Sequence, residues 1–363
     1  MGLIIFMAKM GYSIFKYLFW PLGLIYGSIV ELIKWGYRQG IWERRRFERA
    51  SLVVGNLSMG GTGKSPHVEY ILRQMGSYHH LAVLSRGYGR KSKGLRWLSL
   101  NSSAEEVGDE PLQIHKKFPQ IPFVVAEKRT EGMQAILQKD PITELVILDD
   151  AMQHWPLMAD AYLLLTTYTQ PFFKDAPIPA GRLREFAFNY KRAKIIVISK
   201  CPADLKEEAA QQFLKQLQPL PHQKVFFSYF RYGQTYLLAA PNQKQDLASF
   251  KDAPILLLTG IAKPSPLVQY LEQQGLNVKL MAFGDHHLYS EKDWTKIQAQ
   301  LQQLGPKARL LTTEKDSIRL APWAQQQAIY VLPIEVEIAF GQAAAFQRAI
   351  IEVIYKKKGY PST

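Results

Sequence analysis

Residues 52–71 read LVVGNLSMGGTGKSPHVEYI, and this stretch decides the fold. An apolar run, Leu52, Val53 and Val54, enters a loop containing Gly55, Gly60, Gly61 and Gly63, then Lys64 and Ser65. Val68, Ile71, Leu72 and Met75 follow at the spacing of one apolar helical face, and Pro66 falls in the first turn, where its missing N–H costs nothing. Strand, glycine loop, Lys-Ser and helix is the layout of a phosphate-binding loop (P-loop). Glycines let backbone N–H groups turn toward a polyphosphate, the helix N-terminus adds partial positive charge, Lys64 reaches the β- and γ-phosphates, and the Ser65 hydroxyl ligates Mg²⁺. Ser58 stands where the usual pattern has its first glycine. An ordinary glycine turn between a strand and a helix is the competing reading.

Outward from this loop, the 363-residue chain is long enough for two domains, and 47% hydrophobic with 21% charged residues is a globular composition. A net charge of +14 calls for acidic partners: nucleotide phosphates, an anionic membrane face or nucleic acid. One cysteine, Cys201, excludes an internal disulfide and a Cys-rich zinc site and suits a reducing compartment.

Residues 1–42 are apolar and aromatic, with Phe6, Tyr12, Phe15, Tyr17, Phe19, Trp20, Tyr26, Trp35 and Tyr37, and are interrupted by Lys9, Lys16, Glu31, Lys34 and Arg38. The uncharged run 17–30 contains Pro21 and falls short of the roughly 20 residues of a comfortable membrane span. Followed by Arg44, Arg45, Arg46 and Arg49, the segment is expected to lie in the cytoplasmic interface of a membrane; a helix buried on the protein's own core is the alternative.

Downstream, apolar strands alternate with helices. The strand at 81–84 ends in Ser85-Arg86-Gly87-Tyr88-Gly89-Arg90, and open α/β sheets bind ligands at such strand ends. Asp109 and Glu110 open a short helix, where they could serve only the helix dipole. The strand in 144–150, ELVILDD, ends in Asp149 and Asp150, the paired carboxylates that hold Mg²⁺ beside a phosphate loop. Residues 171–188 read as an irregular functional loop, whose Arg182 and Arg184 are either solvated charge or a fork for a substrate phosphate. The fold class is α/β: a P-loop parallel-sheet domain over 43–223, two hinge strands within 224–253, and a smaller α/β domain over 254–363. In the last, a strand runs into Gly284-Asp285-His286-His287 and another into Glu314-Lys315-Asp316. His286 or His287 is a core histidine or a metal ligand, but lacks a third ligand at metal spacing; proton handling beside a carboxylate fits better.

The full set of motifs resembles one family, the tetraacyldisaccharide 4′-kinases of lipid A biosynthesis. The resemblance rests on Gly60-Gly61-Thr62-Gly63-Lys64-Ser65-Pro66, Ser85-Arg86-Gly87-Tyr88-Gly89, Val107-Gly108-Asp109-Glu110-Pro111, Leu148-Asp149-Asp150 with Gln153-His154, Pro179-Ala180-Gly181-Arg182-Leu183-Arg184-Glu185, Gly260-Ile261-Ala262, Phe283-Gly284-Asp285-His286-His287 and Thr313-Glu314-Lys315-Asp316, in family order. It implies ATP-dependent phosphorylation of the 4′-hydroxyl of a tetraacyldisaccharide 1-phosphate on the cytoplasmic side of the inner membrane. Carried over, Gly60, Gly61, Thr62, Gly63, Lys64 and Ser65 bind ATP; Ser65, Glu110, Asp149 and Asp150 arrange Mg²⁺. Asp109 is the base, assisted by His286, and Arg129 and Arg184 meet substrate or transferring phosphate. The lipid disaccharide and the membrane are the expected partners, with neither nucleic acid nor an obligate protein partner. The sequence departs from the family at Ser65 for Thr, at Ala151-Met152 for Gly-Phe, and at Trp155-Pro156 for a basic pair.

A membrane-associated P-loop GTPase or ATPase switch is the rival. Ser199-Lys200-Cys201-Pro202 mimics a guanine-binding Asn-Lys-x-Asp, but Pro202 occupies the Asp position; a partitioning ATPase would have lysine where Met59 stands.

Overall fold

The computed structural model describes residues 2–285 and 287–359, with side chains from Tyr17 onward, so those of Phe6, Lys9, Tyr12, Phe15 and Lys16 fall outside the described set. The chain opens with α1 (Gly2–Arg38), which runs through Pro21 without ending there. Then β1 (Ala50–Asn56) leads through the glycine loop into α2 (Lys64–Met75), β2 (Leu81–Ser85) and the short β3 (Arg96–Trp97). Helices α3 (Ala104–Val107) and α4 (Asp109–Lys117) precede β4 (Phe123–Val125), α5 (Arg129–Lys139), β5 (Leu145–Asp149) and β6 (Ala161–Thr167). Beyond the irregular loop come β7 (Ile195–Ser199), α6 (Glu207–Leu217) and β8 (Lys224–Tyr232).

These strands, with the late strand β15 (Ile334–Ile338) at one edge, build a nine-stranded sheet in the order β15-β8-β7-β6-β1-β5-β2-β4-β3. Every residue of β1 is buried, as expected of a central parallel strand covered on both faces. Its side chains alternate between two cores: Leu52 and Val54 join Val68, Ile71, Leu72 and Met75 of α2, while Val53 joins Met133 and Ile136 of α5 on the opposite face. Parallel pairing sets Val54 of β1 against Asp149 of β5, so the register itself delivers that carboxylate to the entrance of the glycine loop.

At Gly233 the chain leaves this sheet. Strands β9 (Thr235–Leu237), β10 (Ala240–Gln245), β11 (Ile255–Thr259), β12 (Val278–Ala282), β13 (Arg309–Thr313) and β14 (Ile329–Leu332) form a second, six-stranded sheet, ordered β10-β9-β14-β13-β11-β12. Helices α7 (Ser265–Gln273), α8 (Glu291–Leu304) and α9 (Glu314–Leu320) belong to this unit. The chain then returns: β15 (Ile334–Ile338) pairs antiparallel with β8, and α10 (Ala343–Lys357) buries Phe346, Ile350 and Val353 in the core shared with β1 and α2. The range 254–363 read from sequence for the smaller unit is therefore too long at its C-terminal end. β15 extends the edge of the nine-stranded sheet beside β8, and the apolar stripe of α10 packs in the core beside α2. Likewise, within 224–253, β8 belongs to the larger sheet, while β9 and β10 belong to the smaller one.

Candidate active site

The glycine loop owes its shape to backbone conformations that side chains disfavour. Gly60 and Gly63 have φ of 106° and 87°, and a Cβ on Gly63 would lie 2.6 Å from Cζ of Phe230. Beneath the loop, His67 is fully buried, with Nδ1 2.7 Å from the Gly63 carbonyl and Nε2 3.0 Å from the Ser228 hydroxyl. A carbonyl only accepts, so Nδ1 carries the proton and Nε2 receives the hydroxyl. Burial pushes this imidazole down to about 4, so the brace is a neutral ring at pH 7. Asn56 donates to Thr62 Oγ1 at 2.9 Å, and Ser199 donates to the Thr62 carbonyl at 2.7 Å. The 171–188 loop holds the other flank: Met59 N donates to the Arg182 carbonyl at 2.6 Å and Arg184 N to the Leu57 carbonyl at 2.7 Å.

The chemistry gathers at the carboxyl ends of β1, β5 and β2. Lys64 Nζ lies 3.5 Å from Asp150 Oδ2, and Arg184 Nη1 donates to both Asp150 oxygens at 3.0 and 3.3 Å. Ser65 donates to Glu110 Oε2 at 3.0 Å, and Ser85 donates to Asp149 Oδ2 at 3.1 Å. Asp149 is 3% exposed, and its Oδ1 has no hydrogen-bond partner among the described residues. Burial raises its carboxyl to about 7, with the charges of Glu110 and Asp150 adding to the effect and Lys64 opposing it.

A buried carboxylate oxygen without a hydrogen-bond donor, beside two further carboxylates and a hydroxyl, is an all-oxygen donor set of the kind Mg²⁺ takes. Among the described residues no three His, Cys, Asp or Glu side chains close on one point. That is compatible with Mg²⁺, which is usually held by one or two carboxylates plus waters and phosphate oxygens.

Arg129, the first residue of α5, is buried beside these groups. Its Nη1 donates to the carbonyls of Ala126 and Glu127 at 3.1 and 3.0 Å. Burial lowers the guanidinium to about 10 while Asp149 resists, so it stays charged at neutral pH. His154, pushed down to about 4 by burial and by Arg129 and Arg86, is neutral. Asp109 heads α4 and is gripped by Arg319 of α9, whose Nε lies 3.3 Å from Oδ1 while Nη2 donates to Oδ2. His286, the expected assistant of Asp109, lies outside the described residues. His287 is committed elsewhere, with Nε2 3.1 Å from Asp293 Oδ2 at the start of α8.

Lys64, Ser65, Glu110, Asp149, Asp150 and Arg184 thus come together as read from sequence, with Arg129 behind them. Three residues that brace this site were given no role from sequence: His67, Arg319 and Glu185, the last quoted only within a motif. Glu185 is fully buried and accepts from Gln153 at 2.8 Å and from Arg192 at 2.6 and 2.7 Å. Its place directly after Arg184 in the Pro-Ala-Gly-Arg motif was the available clue.

A phosphate loop at the end of a central parallel strand, flanked by carboxylates on the adjoining strand and faced by a second α/β unit, defines a P-loop phosphotransferase. A family model described as tetraacyldisaccharide-1-P 4′-kinase matches residues 15–355. The tetraacyldisaccharide 4′-kinases of Bacteroides thetaiotaomicron and Bacteroides fragilis are 38% and 39% identical, each comparison covering 93% of both chains. That of Flavobacterium johnsoniae is 36% identical over 89% of this chain and 93% of its own. A crystal structure of the apo form of LpxK from Aquifex aeolicus in complex with ATP superposes with a TM-score of 0.74 and 26% identity, covering 94% of this chain and 99% of that one. The chain belongs to the tetraacyldisaccharide 4′-kinase family, the kinases of lipid A biosynthesis. The GTPase or ATPase-switch alternative gains no comparable support.

Proposed function

We propose that the chain transfers the γ-phosphoryl group of ATP to the 4′-hydroxyl of a tetraacyldisaccharide 1-phosphate, with the glycine loop as the ATP site and the β5 carboxylates as the metal site. The backbone amides of residues 60–65 receive the polyphosphate, and Lys64 neutralises its β- and γ-oxygens. Ser65, Asp149, Asp150 and Glu110 would arrange Mg²⁺, one or two of the carboxylates directly and the rest through water, and the ion would offset phosphate charge. Asp109, with His286 assisting, accepts the proton of the 4′-hydroxyl. The new bond joins the 4′-oxygen to phosphorus as the bond to the bridging oxygen breaks, and ADP leaves. Arg184 shifts from Asp150 toward the transferring phosphate, and Arg129 supplies fixed positive charge behind the carboxylates. The observation that carries this reading is the Asp149 oxygen without a hydrogen-bond partner among the described residues, close to the charges of Lys64 and Glu110, with Ser65 on Glu110.

The same proposal puts α1 on the cytoplasmic face of the inner membrane, where the lipid resides, and needs no obligate protein partner. Support comes from the helix itself. Residues Tyr17–Arg38 form a run of 22 whose length and composition suffice to cross a membrane, longer than the uncharged run 17–30 because the helix continues through Glu31, Lys34 and Arg38. Yet Glu31 and Lys34 within it are turned onto the protein, Lys34 reaching Glu185 and Asn189, which favours a helix lying along the interface. Detergent-solubilised protein given labelled ATP, Mg²⁺ and tetraacyldisaccharide 1-phosphate is expected to yield a bisphosphorylated lipid; folded protein that transfers no label would overturn the assignment.

A further inference from the structure

The contact between the two sheet units nearest the reaction is an ion pair spanning 210 residues of sequence, Arg319 with Asp109. Its two ends are anchored in different units. Asp109 is the first residue of α4, with 21% of its side chain exposed and no side-chain cap ahead of it. The backbone before it is fixed, since Gly108 has φ of 92° and a Cβ there would meet the Tyr88 carbonyl at 2.9 Å. The carboxylate itself sits one rotatable bond from that backbone, with both oxygens on Arg319. Arg319 is 3% exposed in its side chain and is held from behind: Nη1 donates to the His287 carbonyl at 3.3 Å.

The helix that carries Arg319 is also pinned. Asp316, fully buried, accepts from Thr313 Oγ1 at 2.7 Å, Thr259 Oγ1 at 3.0 Å, Gly260 N at 3.1 Å and the Tyr289 hydroxyl at 3.3 Å. Four donors from three segments of the smaller unit therefore fix α9. One turn beyond, the planar guanidinium projects out of that unit and meets both oxygens of Asp109. Such a fork fixes direction as well as charge, which a lysine cannot do. An ionised carboxylate has about four acceptor positions, so a two-pronged contact from Arg319 does not use up its capacity to accept a proton.

We infer that Arg319 is the positioning residue for Asp109: the smaller unit sets the orientation of the proton-accepting carboxylate through this two-pronged contact. The inference rests on the reading of Asp109 as the base. Arg319 touches neither substrate nor nucleotide in this scheme; it acts through Asp109.

The test is a double-mutant cycle on full-length protein in the lipid-phosphorylation assay, with thermal melts of each variant. Arg319→Gln is expected to lower kcat about 10²-fold, the scale of a misoriented catalytic group, with KM for ATP changed by less than about twofold. Arg319→Lys, which keeps the charge without the fork, should fall between. Asp109→Asn should be slower than either, and Arg319→Gln combined with Asp109→Asn no slower than Asp109→Asn alone, because both changes remove one function. Near-normal kcat in Arg319→Gln beside an inactive Asp109→Asn overturns the positioning role and leaves the base in place. A double variant slower than Asp109→Asn by the full Arg319→Gln factor also overturns it. Normal turnover by Asp109→Asn overturns the base and the inference together. If Arg319→Gln melts below the assay temperature, Arg319→Lys decides, and wild-type kcat there counts against the proposal.

Discussion

Asp149 carries a charge that the fold does little to stabilise: one oxygen is held by Ser85, the other has no hydrogen-bond partner among the described residues, and two carboxylates stand near. Burial and the two neighbouring carboxylates disfavour the ionised form more than Lys64 favours it, so the site is poised for a further cation. Asp149→Asn keeps the shape and an acceptor for Ser85 but not the charge. The expected outcome is a split: Mg²⁺-dependent turnover falls by about 10²-fold or more, while the melting temperature of the metal-free protein stays level or rises. A variant that melts lower yet keeps its turnover would contradict the metal-site role. At this scale the sequence is informative wherever chemistry and fold share one short stretch. Lys64 and Ser65 follow their glycines directly, and Asp149 ends its own strand. His67 shows the opposite case, a histidine on the P-loop helix whose role depends on Ser228, which is 161 residues away.

Among the elements, α1 is apolar toward solvent and polar or small toward the protein. Tyr17, Leu18, Leu22, Ile25, Ile29, Leu32 and Trp35 are exposed, whereas Gly23, Gly27 and Lys34 are buried. A Cβ on Gly23 would lie 2.9 Å from the Pro177 carbonyl, and one on Gly27 would lie 2.5 Å from Phe186 Cζ. The helix therefore docks through its smallest residues onto the 171–188 loop, and Tyr26 donates to the Arg184 carbonyl there at 3.1 Å. Ile25→Glu with Ile29→Glu should weaken binding to anionic vesicles by at least about tenfold, since each buried aliphatic side chain contributes about 1.5–3 kcal/mol, and should leave the melting temperature in detergent unchanged. Gly27→Leu should do the reverse, lowering stability while sparing the vesicle-facing side. Equal vesicle binding by the Glu pair would refute the lipid-facing assignment. The aromatic and basic composition pointed to membrane association, but not to which face of the helix turns outward, because the inward stripe is made of glycines and a charged pair that carry no hydrophobic signal.

Across the whole molecule, the two units are joined by a buried charge cluster as well as by Arg319. Lys117 of α4 donates to Glu69 of α2 and is paired with Glu314 of α9, and Glu314 also accepts from Ile334 N at 3.1 Å. Burial raises the Glu314 carboxyl to about 7, with Lys117 opposing the shift and Glu69 adding to it. The folded protein thus binds a proton that the unfolded chain, with a carboxyl near 4.3, has released; stability is lost as pH rises between those values. Glu314→Gln removes that proton linkage. The melting temperature of the native protein should fall relative to Glu314→Gln as pH is raised from about 5 to 8, and a difference that stays constant with pH would show that Glu314 does not titrate there. The strand–loop–helix at 52–71, the carboxylates ending β5 and the alternation of strands with helices were determined by sequence alone, because periodicity, glycine φ and strand-end chemistry act within about twenty residues. Tertiary structure alone decided three further features: the return of β15 and α10 to the first sheet, the seating of Lys34 on Glu185, and the reach of Arg319 to Asp109. Each depends on surfaces that exist only after distant segments have packed, and no local pattern encodes which buried charge will face which.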